Sequence, residues 1–103
     1  MSERRSTARH DIQLPLTKYL RGKPQPCESK NLSERGMLLT TRREPKGARD
    51  EFILELSLSE TERPLFIWAR RVWRTGKKQA IEFVRMARED QTRLAHFIAS
   101  ATA

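Results

Sequence analysis

Fifteen of the 103 residues are arginine, and three of them, Arg4, Arg5 and Arg9, fall within the first ten positions. Arginine carries a planar fork of donors. It pairs bidentately with a phosphate or with the O6/N7 edge of guanine, and its face stacks on planar rings. Arg5-Ser6-Thr7-Ala8-Arg9 forms an RxxxR. Alone it reads better as a solvated basic tail, since Arg70 and Arg74 repeat the spacing inside an expected strand. A second constellation is Asn31-Leu32-Ser33-Glu34-Arg35-Gly36, an NxSxxG. Its amide and hydroxyl stand two residues apart, on one side of an extended chain. Its glycine suits a place where a ligand or another backbone must come close. The same residues also make an ordinary turn. Trp73 is open between packing and stacking on a base.

Catalytic chemistry finds little support. His10 and His96 are far apart, and neither stands in a Ser, Cys or carboxylate pattern; His96 is expected at the solvent edge of a helix. The four glycines fall in four separate turns, so there is no phosphate-cradling glycine loop. Metal-ligand spacing is absent. The expectation is a binding protein and not an enzyme, with no cofactor and no metal.

Charge narrows the class of partner. Lys and Arg total 21 against 13 Asp and Glu, a net charge of +8 that calls for an anionic partner. Apolar residues make up 37% and charged residues 33%, clustered in a way that supports a folded core. The length suits one domain. A single cysteine, Cys27, excludes an internal disulfide and a cysteine zinc cluster, and suits a reducing compartment. The charged N-terminus lacks an apolar stretch, and no run approaches the roughly 18 apolar residues of a spanning helix. A cytoplasmic protein without membrane insertion is expected.

These residues need a scaffold, and the apolar pattern supplies one. From Asp11 to Leu20, Ile12, Leu14 and Leu16 alternate with Gln13 and Thr17, as in a half-buried strand whose Pro15 marks an edge or bulge. Arg21-Gly22-Lys23-Pro24 reads as a turn. Pro26 to Leu32 is a weaker strand, closed by the turn Ser33–Gly36. Met37 to Thr41 is a short strand, and Glu44-Pro45-Lys46-Gly47 a loop. Glu51 to Ser59 is the clearest strand, with Phe52, Leu54, Leu56 and Leu58 on one face. Leu65 to Arg74 carries two apolar phases, Leu65, Ile67 and Ala69 against Phe66, Trp68 and Val72, which a mid-strand bulge would reconcile. Thr75-Gly76-Lys77-Lys78 is a hairpin turn before a last strand, Gln79 to Met86. Leu94, Phe97 and Ile98 share one face of a terminal helix that opens with Glu89 and Asp90. Phe52, Phe66, Phe83 and Phe97 are expected in or near the core, and Trp68 is read as packing. The fold class is mainly all-β: a six-stranded antiparallel β-barrel with a C-terminal α-helix. The whole, 1–103, is one domain, divided into a flexible arginine-rich arm (1–10), a barrel (11–86) and a helix (87–100).

The combination is more specific than its parts. An RxxxR arm directly before the first strand, NxSxxG at the end of the second, Ala69-Arg70-Arg71-Val72-Trp73, Ile81-Glu82-Phe83 and the helix from Asp90 to Phe97 closely resemble the PilZ domain family over nearly the whole chain. The resemblance implies a receptor for cyclic di-GMP. It implies ligand contacts from Arg5, Arg9, Asn31, Ser33 and Gly36. Arg4 matches a position that in some members supports a stacked pair of ligands, and Trp73 one that in some relatives lies against a guanine. Ala80 departs from the pattern, since a glycine often stands there; the extra methyl bears on packing. The expected partners are cyclic di-GMP and an effector protein in motility, biofilm formation or a related output, the receptor being a monomer or a ligand-dependent dimer. Two alternatives stand beside this reading. One is a PilZ-type adaptor working by protein contact without ligand. The other is a basic barrel that binds single-stranded nucleic acid, which wants exposed aromatics beside basic residues; the apolar phase of the strands does not predict them, so a nucleic-acid partner is not expected.

Overall fold

A computed structural model describes residues 10–41 and 50–101. Six strands, β1 (Pro15–Leu20), β2 (Lys23–Leu32), β3 (Gly36–Thr41), β4 (Glu51–Leu56), β5 (Leu65–Thr75) and β6 (Lys78–Met86), precede helix α1 (Arg88–Ala101). The strands close in the order β1-β2-β3-β6-β5-β4, each antiparallel to its neighbours. Closure removes the unpaired edges that an open sheet would expose. The hairpins at Arg21–Gly22 and Gly76–Lys77 lie at one end of the barrel. The β2–β3 turn and α1 lie at the other, as antiparallel succession requires.

Period-two alternation fills the interior. Phe52, Leu54 and Leu56 of β4 face inward and pair with Ala69, Ile67 and Leu65 of β5, all buried. Leu39 and Met37 of β3 face inward opposite Gln79 and Ile81 of β6. In α1, Asp90, Leu94 and Ile98 recur every four residues on one face and are buried, so the helix stoppers the barrel. Its position is held from the β4–β5 connection: Arg63 pairs with Glu89 at 2.8 Å and Asp90 at 3.6 Å, and Arg93 reaches Glu62 at 3.3 Å.

Several expectations need correction. The first turn contracts to Arg21 and Gly22, both at positive φ (55° and 80°), and β2 already begins at Lys23. This is the geometry of a tight two-residue hairpin. Pro24 and Pro26 do not weaken β2, because among the described residues β3 joins it only from Cys27, leaving the prolines one neighbour, β1. In β1 the inward set is Leu16, Lys18 and Leu20. Lys18 is wholly buried: its Nζ donates to Gln79 Oε1 at 2.7 Å and lies 4.2 Å from the centre of the Phe52 ring. The register of β5 with β6 does shift mid-strand, but the shifts do not reconcile the two apolar phases: the phase of Phe66, Trp68 and Val72 stays outside. Phe66 and Trp68 remain 52% and 46% exposed, against the expectation of core and packing. Phe52 is buried, and Phe83 and Phe97 pack against the core as expected.

Candidate functional site

The NxSxxG segment is built from a bulge and a turn. The β2–β3 register shifts between Ser29 and Asn31, which leaves Lys30 unpaired. Asn31 is half-buried, and its Oδ1 accepts the Leu38 amide at 3.0 Å. That bond commits the amide oxygen, so the NH2 end is what Asn31 can offer a ligand. Ser33 behaves differently from the reading that puts it beside Asn31 at a base edge. It lies beyond the strand, is buried, and its Oγ accepts the amides of Arg35 and Gly36, both at 3.2 Å. Its own amide donates to the Gly36 carbonyl at 2.9 Å. The hydroxyl shapes the turn. Ser33→Ala should therefore cost about 1–3 kcal/mol, the penalty for leaving buried backbone donors unpaired, and lower the melting temperature by several degrees in circular dichroism.

Gly36 has a backbone reason. It pairs with Glu82 of β6, and a β-carbon there would collide with the Ile81 carbonyl oxygen. Of the two close approaches that glycine permits, the structure shows that of another strand. The neighbouring Arg35 carbonyl accepts the Phe83 amide at 2.8 Å, which fastens the turn to β6.

The ladder register assembles a row across four strands. Asn31 stands opposite Leu38, Leu38 opposite Ala80, and Ala80 opposite Trp73. The flanking pairs Met37–Ile81 and Leu39–Gln79 point into the core, so this row lies on the outer face. Three strand spacings put Asn31 and Trp73 no more than about 15 Å apart. Trp73 is 46% exposed, a ring available for stacking. Lys30 and Arg35 are exposed beside the motif. Arg70, by contrast, is paired with Glu82, whose carboxylate pushes the guanidinium pKa further up, so the first arginine of the second RxxxR is committed within the sheet.

Arg4, Arg5 and Arg9 lie outside the described residues. The chain enters them at His10, whose amide and carbonyl bridge to Leu32, each bond 2.9 Å long. The stretch that follows is tied to β2 by Ser29, a residue that sequence reading passed over. Ser29 is wholly buried; its Oγ donates to the Ile12 carbonyl at 2.7 Å and accepts the Leu14 amide at 2.9 Å. A hydroxyl at an inward strand position was the available signal. Together these bonds pin the root of the arm between Asn31 and Ser33. Among the described residues no cluster of His, Cys, Asp and Glu could hold a metal ion, and no helix is long and apolar enough to cross a membrane.

A closed six-stranded barrel followed by a C-terminal helix, with His10 bridged to β2 beside a polar turn, defines the class of fold. The PilZ domain family model matches residues 3–100, and the chain belongs to that family, whose members serve as cyclic di-GMP receptors and adaptors. Two solved structures share the fold. One is the inhibitor of motility of Bacillus subtilis (MotI/DgrA), 19% identical with a TM-score of 0.76, matched over 98% of this chain and 52% of that one. The other is the PilZ domain of CeSA from a cellulose synthesizing bacterium, 11% identical with a TM-score of 0.71, matched over 93% of this chain and 99% of that one. The chain thus spans about half the length of the motility inhibitor. No curated protein matches.

Proposed function

We propose that this protein is a cytoplasmic cyclic di-GMP receptor that binds its ligand on the outer β2–β3–β6–β5 face, closes its N-terminal arm over it, and passes the change to a partner protein. The observation that carries this reading is the pinning of His10, the residue that follows Arg9 in the chain, to Leu32, next to Asn31 at the start of the row that ends at Trp73. Two phosphates and two guanines match this set of groups. Arg5 and Arg9 supply forks for phosphate or the guanine O6/N7 edge, Asn31 an amide donor, and Trp73 a stacking ring. Ser33 and Gly36 act by holding the turn that presents Asn31. Arg4, just ahead of the RxxxR, is assigned to a second, stacked ligand by its resemblance to a family position. Ordering the arm costs about 1–2 kcal/mol per residue in backbone entropy, so several charge-assisted bonds must offset it. That cost makes arm closure dependent on ligand.

The exposure of Phe66 and Trp68 brings back the question of nucleic acid. Beside them on β4 stand the carboxylates Glu51 and Glu55, which repel a phosphate backbone; of the cations on the β5–β6 side, Arg85 stands opposite Trp68 and Arg70 is paired with Glu82, so the observation does not favour that reading.

Titration with cyclic di-GMP followed by NMR tests the proposal. The Trp73 indole, the Asn31 side-chain amide and the Arg5 and Arg9 resonances should shift, and Trp68 should stay in place. A titration that moves neither Trp73 nor Asn31 overturns it. Light scattering on the same samples reads whether the ligand drives dimerisation.

A further inference from the structure

A second outer row crosses the barrel from β5 in the opposite direction. Pro24 of β2 stands opposite Tyr19 of β1, Tyr19 opposite Ile53 of β4, and Ile53 opposite Trp68 of β5. Phe66 adjoins it, two residues from Trp68 on the same face, and is 52% exposed. Between Tyr19 and Trp68 runs a groove walled by Leu20, Arg21, Phe52 and Ile53. Exposed aromatics gathered in one place mark an interaction surface more often than scattered ones do.

The two rings are held in place from opposite flanks. Tyr19 donates its hydroxyl to Glu55 Oε1 at 2.5 Å, and the Trp68 Nε1–H donates to Glu51 Oε1 at 3.0 Å. Rings fixed this way lose little freedom when a partner arrives. Glu55 also keeps the phenol of Tyr19 protonated, its pKa raised by that hydrogen bond.

We propose that this row docks a short segment of a partner protein that presents an apolar side chain flanked by Lys or Arg. Three observations choose the occupant. The barrel is closed, so a partner cannot add a strand and must read side chains. On β4, between the two rings, the flanking charges are both carboxylates, on a chain whose net charge is +8. Of the nearby cations, Arg70 is paired with Glu82, Arg21 lines the groove beside Tyr19, and Arg85 stands opposite Trp68 on β6. A symmetric second copy would set Glu51 and Glu55 of one chain against the same carboxylates of the other, which disfavours it. The proposal rests on reading the protein as an adaptor and not on its nucleotide.

The test uses the full chain without nucleotide and a short amphipathic peptide of leucine and lysine as probe. The Trp68 indole N–H should shift on titration and the Trp73 indole should not. The double variant Glu51→Gln, Glu55→Gln keeps both ring hydrogen bonds possible and should bind the peptide roughly five- to tenfold more weakly. Trp68→Ala should abolish binding, and a leucine–glutamate peptide should not bind. The proposal is overturned by an unmoved Trp68, by equal affinity in the double variant, or by equal binding of the acidic peptide. It is likewise overturned if sedimentation shows a dimer of the free chain that Trp68→Ala dissolves. Adding cyclic di-GMP afterwards reads Trp73, so the nucleotide reading fails or holds separately.

Discussion

Arg9→Ala is expected to weaken cyclic di-GMP binding by about a hundredfold or more in calorimetry while leaving the melting temperature unchanged. A hundredfold is about 2.7 kcal/mol. One charge-assisted hydrogen bond contributes about 1.5–3 kcal/mol, and a bidentate contact to a phosphate or to guanine O6/N7 combines two. Arg9 should be the most sensitive of the arm arginines because it directly follows, toward the N-terminus, the pinned His10. Its neighbour's backbone is already placed, so the least entropy is spent in bringing it to the ligand. Arg5→Ala should lose a comparable amount, and Arg4→Ala should change stoichiometry or dimerisation more than first-ligand affinity. Arg9→Lys separates charge from geometry: lysine keeps the cation but not the fork. An intermediate affinity supports bidentate recognition. Full activity in Arg9→Lys, with steep salt dependence, would reduce the arm to a general anion attractor, and full affinity in Arg9→Ala would remove it from the site.

The barrel was legible where one face of a strand is apolar and the other is not. Glu51 to Leu56 shows this, since Phe52, Leu54 and Leu56 alternate with Glu51, Ile53 and Glu55 and are buried as expected. Legibility failed where both faces carry apolar residues. From Leu65 to Ala69 hydrophobicity alone cannot say which phase faces inward; the pairing with β4 decides it, turning Phe66 and Trp68 out. It failed again at Lys18, a charged residue at an inward position whose partner, Gln79, lies 61 residues away on β6. The site divides in the same way. NxSxxG was visible as a motif, but its two polar residues do different work. Asn31 spends its oxygen on Leu38 and keeps its amide donor, while Ser33 is absorbed by the turn. Only the hydrogen-bond geometry separates these roles. The row joining Asn31 to Trp73 depends on register through bulged strands, which residue spacing does not encode.

Those bulges also distribute the two outer faces. Val72 and Val84 fall where the β5–β6 register slips, and both are exposed. Among the described residues β5 pairs with both β4 and β6 as far as Arg70, and beyond it with β6. Trp68 therefore stands opposite Ile53 of β4 and Arg85 of β6, and Trp73 opposite Ala80 of β6, about 16 Å apart along one strand. A single strand thus carries both the ring assigned to the nucleotide and the ring assigned to the partner. Bulges increase local twist and re-aim side chains, and here they lie between the two rings.

Gly36→Ala should have the largest effect on stability, and it also separates fold from ligand at the one motif position where both accounts are available. The added β-carbon meets the Ile81 carbonyl, a backbone atom that cannot rotate away as a side chain could. To relieve the clash β3 must move from β6, yet that seam is flanked by Met37 and Ile81, which are 0% and 1% exposed. Overpacking a well-filled site costs about 1–3 kcal/mol and occasionally more, and a backbone clash belongs at the upper end. At roughly 4–8 °C per kcal/mol for a domain of this size, the melting temperature should fall by about 10 °C or more. Cyclic di-GMP affinity measured well below that transition should stay within a fewfold of wild type, because the glycine acts on the ligand only through the turn. The reverse outcome, an unchanged melting temperature with binding lost, would assign Gly36 to ligand approach and refute the packing account. Ser33→Ala then serves as the control. It loosens the same turn without touching the β3–β6 seam, so binding lost in both variants traces to the turn, whereas binding lost only in Gly36→Ala traces to the α-carbon of Gly36 itself.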